Sequence, residues 1–297
     1  MVGSSLVKIL KESGYSNLIL PKRRDLDLKN QRKIEEFFSE EKPEYIFHLA
    51  AVVGGIHANS NYPAKFIYDN TQMHLNVIEC ANKFEIKKLL FPGSACTYPK
   101  LAKQPIAEES FLSGFLESTN IAYAAAKING IITAQSYCKQ FGLNVVIPMP
   151  TNAYGIGDHF DAENSHVIPA LIRRFNDAKL KNDNEIVIWG SGNVIREFIY
   201  VDDLAYSLLF LMLNYDSSNI INVGTMVEIS IKDLALKIAK IVDYKGEIKF
   251  DVSKPDGVLR KCLDSSKIKQ MGWKDKVDLD QGLEKTYNHY LTLQNVK

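Results

Sequence analysis

Tyr123 and Lys127 stand four residues apart in YAAAK, and Ser94 closes the apolar run KLLFPGS. Four residues is about one turn of helix, so on a helical segment the two side chains share a face. A free phenol has a pKa near ~10, too high for ready proton exchange at neutral pH. An ammonium within ~4–6 Å favours the phenolate, so the expectation is that Lys127 lowers the pKa of Tyr123 and makes it a general acid or base. Ser94 would then hold the carbonyl oxygen that receives the proton. The same spacing also arises from a surface lysine beside a half-buried tyrosine, and so short a pattern recurs by chance. Where the three residues sit in the fold therefore decides between the readings.

The flanking elements are those of a layered nucleotide-binding protein. MVGSSLVKIL reads as a glycine turn running into a helix, with Leu6, Ile9 and Leu10 at helical spacing. An apolar run NLIL follows, then RDLDL as a short edge strand, a charged helix around QRKIEEFF, and YIFHLA. A long helix from Pro63 to Phe84, the strand KLLFPGS, a second long helix from Tyr123 to Phe141 and the strand NVVIPMP continue the alternation. Strands that are apolar without alternation, separated by helices, predict a parallel sheet covered on both faces. The fold class expected is α/β, a Rossmann-like doubly wound sheet with a smaller C-terminal lobe. Ser94 then lies at the C-terminal end of a parallel strand, where such sheets hold ligands.

Beyond Asn152 the rhythm loosens. HVIPALIRRF, ISIKDLALKIAKIV and LDQGLEKTYNHYL read as helices, and EIVIWG, INVG and EIKFD as short strands. This places a nucleotide-binding part at residues 1–152 and a mainly substrate-binding lobe at 153–297, with some segments returning to the sheet.

Composition narrows the function classes. A chain of 297 residues with 46% hydrophobic content can bury a full core. Lysine and arginine total 36 against 35 acidic residues, which leaves no basic surplus for nucleic acid. Cys80, Cys96, Cys138 and Cys262 lack metal-site spacing and fit free thiols in a reducing compartment. No run is apolar enough to span a membrane, and Lys8 and Lys11 interrupt any leader-like core, so the expected location is the cytosol, with no metal.

Ser94, Tyr123, Lys127, the strand order and REFIYVDD together resemble the extended short-chain dehydrogenase/reductase family. LAAVVGGIHAN, PGSACTYPKLAKQPIAEES, MPTNAYG, NSHVIPALIRRF, VIWGSGNVIREF and KPDGVLRKCLD resemble, within it, the GDP-L-fucose synthases, over nearly the whole chain. The resemblance implies epimerisation of GDP-4-keto-6-deoxy-D-mannose at C3 and C5, followed by NADPH reduction of the C4 ketone. Both protons are α to that carbonyl, so one polarised ketone acidifies both through an enolate. The acid/base pair implied is Cys96 and His166, although a cysteine is as often buried filler and a lone histidine structural.

The same resemblance assigns NADP to Met1, Val2, Gly3, Arg23, Pro92, Gly93, Lys127, Pro150, Thr151, Asn152, Ala153 and His166. Arg23 and Arg24 stand where an NAD enzyme would carry an acidic residue, which favours the 2′-phosphate of NADPH, although Asp25 follows closely. The GDP-sugar is assigned to Arg174, Trp189, Arg196 and Asp256. Trp189 is equally readable as core, and Arg173 in place of Arg174 as the phosphate ligand.

The family opens with a strand and a GxxGxxG turn, of which this sequence has only MVG. The expectations are a sequence starting one motif late, weak NADPH binding, and a gap between NLIL and YIFHLA. A homodimer is expected through the two long helices, with Phe66, Ile67, Tyr68 and IITAQSY as surplus apolar residues. The alternatives are a reductase of a related GDP-4-keto-6-deoxy sugar, such as a heptose, without epimerisation, and a non-catalytic remnant.

Overall fold

The computed structural model describes residues 1–161, 165–254 and 256–294. Its helices are α1 (Val2–Glu12), α2 (Gln31–Glu41), α3 (Ile56–Asn61), α4 (Pro63–Lys83), α5 (Ile121–Phe141), α6 (Val167–Lys181), α7 (Val201–Asn214), α8 (Ile231–Val242), α9 (Ser266–Gln270) and α10 (Leu279–Gln294). The strands are β1 (Tyr45–Phe47), β2 (Lys88–Leu90), β3 (Val145–Pro150), β4 (Asn152–Tyr154), β5 (Glu185–Trp189), β6 (Ile195–Tyr200), β7 (Ile220–Val223), β8 (Glu228–Ser230), β9 (Glu247–Asp251) and β10 (Arg260–Lys261).

The central sheet runs β1-β2-β3-β7, all parallel. Side chains alternate across it, as the pleat requires. Leu89, Phe91, Val145, Ile147 and Met149 join Val77, Ile78 and Ile131 of α4 and α5 in one core. Leu90, Val146, Ile221 and Val223 join Leu6 and Leu10 of α1 and Leu204 and Leu208 of α7 in the other. Because helices cover both faces, β3 carries no polar side chain. Pro63, free of the need to donate an N–H, opens α4, and Gly142 at φ +79° closes α5.

A second sheet, β10-β6-β4 with β8 antiparallel to β6, leads away from the first. The parallel pair β5 and β9 packs with α6 and α8 around a third core containing Ile172, Phe175, Ile188, Leu234 and Ile238.

Two sequence expectations fail. NLIL is not a strand: Leu20 is exposed, and β1 pairs with β2 alone among the described residues. RDLDL is not an edge strand either. Its Asp25 and Leu26 N–H groups close locally onto the Lys22 carbonyl, and its Asp27 carbonyl takes the N–H of Asn30, so these groups are spent before a ladder can form. Leu26 still packs, joining Ile34 and Phe38 of α2 in the first core.

Among the described residues, no helix is long and apolar enough to cross a membrane.

Candidate active site

Strand β2 ends opposite Val146 of the longer β3, and the candidate residues gather where the chain leaves β2 along the rest of β3. Beyond β2 the chain runs Phe91-Pro92-Gly93, with the Gly93 N–H bonded to the Pro148 carbonyl at 2.8 Å. A Cβ on Gly93 would meet the Met149 sulfur at 2.3 Å, so only glycine lets the segment lie this close to β3. Ser94 then caps a 3-10 turn, Ala95–Thr97, its Oγ accepting from the Cys96 N–H at 3.2 Å. The cap sets serine and cysteine on one short turn.

Tyr123 and Lys127 lie one turn apart on α5, as their spacing predicts. Lys127 is buried, donates to the Pro92 carbonyl at 2.8 Å and stands 4.9 Å over the Phe91 ring. Burial pulls its pKa down to about 7. The expectation for Tyr123 is reversed: burial, then the nearby Cys96 thiol, push its pKa up, and hydrogen bonding with Ser94 offsets only part of this. The reason is geometric and electrostatic. The lysine's bonded donor is turned to Pro92, and an ammonium that discharges near neutrality cannot dominate the phenol. At neutral pH Tyr123 therefore holds its proton, as suits a donor to a developing alkoxide more than a standing base.

Arg196, at the start of β6, joins this cluster from the other side. Its guanidinium donates to the Ile195 and Val258 carbonyls at 2.8 and 2.7 Å, and burial lowers its pKa, an effect the nearby Cys96 partly offsets. A Cβ on Gly257 would stand 3.3 Å from that guanidinium, a tight contact. Asp256 is bonded to Ser191. Trp189 is 72% exposed with Lys254 over its ring at 5.6 Å, which rules out the core reading. Of the paired arginines, Arg173 is tied to the Phe160 carbonyl at 2.9 Å and to Asp177, whereas Arg174 donates to the Val187 carbonyl on the strand that carries Trp189.

His166 caps α6 and is exposed, with the half-buried Asp158 carboxylate in electrostatic reach. Pro150 to Ala153 run from the end of β3 into β4, with the Thr151 and Asn152 side chains both donating to the Glu197 carbonyl. Met1 caps α1, and a Cβ on Gly157 would lie 3.5 Å from it. Nothing lies within 4 Å of where a Cβ on Gly3 would stand, so the first turn of α1 leaves room for an anion at its N-terminal end. Arg23 and Arg24 sit in an exposed turn, Arg24 paired with Asp25 at 3.5 Å. With Lys127 using one of its three donors on Pro92, these residues fit a phosphate-bearing dinucleotide with ribose hydroxyls.

Residues that motif reading passes over complete the site. Glu197 is fully buried and accepts from the Met226 and Leu263 N–H groups at 2.8 and 2.9 Å, holding the turn beyond β7 to the one beyond β10. Its only sequence signal is its place inside REFIYVDD. Phe91, His48 and His74 underlie Lys127 and carry no motif.

Residues 1–224 match the family model described as the NAD dependent epimerase/dehydratase family. The chain is 50% identical over 291 residues to "Putative GDP-L-fucose synthase 2" of Arabidopsis thaliana, covering 98% of this chain and 89% of that protein. Among solved structures, a GDP-6-OMe-4-keto-L-xylo-heptose reductase from C. jejuni superposes with a TM-score of 0.93 at 37% identity, over 98% of this chain and 95% of that one. A GDP-L-fucose synthetase from Naegleria fowleri bound to NADP gives 0.91 at 27% identity, over 99% and 92%.

Proposed function

This chain belongs to the NAD dependent epimerase/dehydratase family, and on that footing we propose that it is an NADPH-dependent enzyme converting GDP-4-keto-6-deoxy-D-mannose to GDP-L-fucose. The observation that carries the reading is the convergence of Ser94, Cys96, Tyr123 and Lys127 just beyond β2.

Each residue has a defined task. Ser94 donates its hydroxyl to the C4 carbonyl oxygen and polarises the ketone, which acidifies the protons at C3 and C5. Cys96 and His166 remove and return those protons from opposite faces, inverting each centre through an enolate. Tyr123 then donates its retained proton to the C4 oxygen as the alcohol forms. Lys127 orients Tyr123 and binds ribose hydroxyls. NADPH, when bound, supplies the hydride for the C4 reduction; Met1, Val2, Gly3, Arg23, Pro92, Gly93 and Pro150 to Ala153 are its ligands in this reading. Arg174 and Arg196 meet the GDP diphosphate through paired N–H donors, and Trp189 offers an exposed face to the nucleotide, with Asp256 behind it.

In the same reading residues 1–152 form the cofactor part and 153–297 mainly the substrate lobe. The protein works in the cytosol as a homodimer through α4 and α5. Exposed Ile67, Tyr68 and Ile132 on these two helices, which pack on each other, support that interface. Phe66 does not belong to it: at 3% exposure it faces inward, its ring 6.3 Å from that of Tyr123.

The test is to incubate the purified protein with NADPH and GDP-4-keto-6-deoxy-D-mannose and to determine the product's configuration by NMR. Inversion at both C3 and C5 with NADPH consumed is expected. The likeness to the heptose reductase supports a second reading, for which the product would be reduced but not inverted.

A further inference from the structure

Two buried histidines lie next to Lys127, and the proposed reaction uses neither. His48 follows β1, its backbone N–H bonded to the Leu90 carbonyl at 2.9 Å, and His74 sits in the middle of α4. They are 4% and 0% exposed, and His48 Nε2 lies 3.0 Å from His74 Nδ1, one ring donating and the other accepting. His48 stacks on Phe91 with centroids 5.9 Å apart and planes at 19°, and His74 meets the same ring edge-on at 4.8 Å and 73°. Gly130, on α5 one turn beyond Lys127, completes the enclosure. A Cβ there would reach Phe91 Cζ at 2.5 Å and His74 Cβ at 3.3 Å. Phe91 is thus held by β1, α4 and α5 together, and it is the ring over which the Lys127 ammonium stands.

We propose that His48 and His74 are positioning residues for Lys127: their mutual hydrogen bond clamps Phe91, and the clamped ring with the Pro92 carbonyl fixes the ammonium and keeps water from it. This rests on reading Tyr123 and Lys127 as the reducing pair.

A histidine pair suits the task because it stays neutral. Burial and then the charge of Lys127 push His48 down to about 3 and His74 well below its ordinary value. Among the described residues, the titratable groups beside Lys127 are Tyr123 on its own helix, His48 beyond β1 and His74 on α4, with Cys96 acting on Tyr123. None of them is a carboxylate that would hold the ammonium charged, so the exclusion of water governs its titration. Loosening the clamp should therefore move Lys127 up, toward an ordinary lysine.

The experiment is an NMR titration of 13C-labelled lysine in the full chain, read beside the pH profile of kcat/KM for NADPH oxidation. His74→Leu keeps bulk and removes the bond. It should raise the Lys127 midpoint by about one pH unit or more and carry the alkaline limb of the rate profile upward with it. His74→Asn, which can still bond His48, should restore most of the shift. Leu234→Ala, a cavity in the distant third core, should lower the melting temperature and leave the midpoint in place. If His74→Leu does not fold, His48→Asn, too short to reach His74, reads the same shift. An unmoved midpoint in the folded variants overturns the clamp even if the enzyme is active. A moved midpoint in a protein that never oxidises NADPH supports the clamp and overturns the reductase reading.

Discussion

Asp256 grips Ser191 with both carboxylate oxygens, Oδ1 accepting the backbone N–H at 2.9 Å and Oδ2 the hydroxyl at 2.7 Å. Ser191 in turn accepts from the Asn193 N–H at 3.1 Å, and Gly190, at φ +89°, is bare because a Cβ would strike Asp256 at 2.5 Å. The loop that carries Asp256 is thereby latched to the turn that follows Trp189, the residue proposed to face the nucleotide. Ser191→Ala keeps the backbone bond and loses the hydroxyl one. Hydrogen bonds to charged groups contribute about 1.5–3 kcal/mol, less where water competes. The KM for the GDP-sugar should accordingly rise about three- to tenfold, with kcat and the KM for NADPH unchanged. Steady-state kinetics with each substrate varied in turn will show it, and a fall in kcat alone would contradict the latch.

Tyr123→Phe removes the proton donor and keeps the ring that packs on Phe66. Reduction should fall by about 10²- to 10⁴-fold, the range for losing a positioned acid. Binding of the GDP-sugar, followed by calorimetry, should hold within about twofold, because no binding group has changed. Near-full NADPH oxidation would remove Tyr123 from the mechanism.

Cys96→Ala and His166→Ala should separate the two halves of the reaction. Each variant should still consume NADPH and yield sugars not inverted at both C3 and C5, which deuterium incorporation from solvent will report position by position. A product still wholly in the L-configuration would make the two residues structural.

Much of this site was legible because local rules act on it. The one-turn spacing of Tyr123 and Lys127 and the strand ahead of Ser94 follow from periodicity, and helix α5 appears where it was expected. What stayed hidden depends on packing between distant segments. RDLDL has an alternating pattern, yet its Asp25 and Leu26 N–H groups close onto Lys22 and its Asp27 carbonyl onto Asn30, in turns. Phe66 reads as surplus apolar surface until Tyr123, far along the chain, is laid against it. The reversal at Tyr123 has the same origin, since spacing gives proximity to a lysine but neither the burial that discharges that lysine nor the Pro92 carbonyl that turns it. His48 and His74 have no periodic signal of a pair at all.

Acid stability follows from those two histidines. In the unfolded chain an imidazole takes up its proton near the ordinary value of 6.5, whereas in the fold His48 does so at about 3 and His74 also far lower. Below 6.5 the unfolded state therefore binds protons that the folded state refuses, and stability is lost as the pH falls. The slope is up to about 1.4 kcal/mol per pH unit for each group. Urea midpoints between pH 7 and pH 5 should fall, and less steeply in His48→Asn. An equal slope in the variant would show that other groups dominate.

Asn222 tests how the central sheet is joined to the loops around it. It lies fully buried on β7 and accepts the Tyr98 hydroxyl at 2.6 Å. Its amide donates to the Ile106 and Asp264 carbonyls at 2.9 and 3.0 Å, and its backbone N–H bonds the buried Glu108 at 3.0 Å. Asn222 thus ties the loop that follows Cys96 and the segment leading to α9 to the strand beside β3. Asn222→Ala takes the partner from the Tyr98 hydroxyl and the Asp264 carbonyl, while the Ile106 carbonyl keeps the Asp264 N–H at 2.8 Å; each orphaned group costs about 1–3 kcal/mol before relaxation and entering water reduce it. A loss of about 2–4 kcal/mol is expected, large for a single substitution against a typical net stability of about 5–15 kcal/mol. Tyr98→Phe removes one donor and leaves the two carbonyl bonds, so it should cost about half as much. Urea unfolding of both variants, with the double variant losing less than the sum of the two, will establish the coupling. If Asn222→Ala costs less than about 1 kcal/mol, the network is incidental and the loops are held by their apolar residues alone.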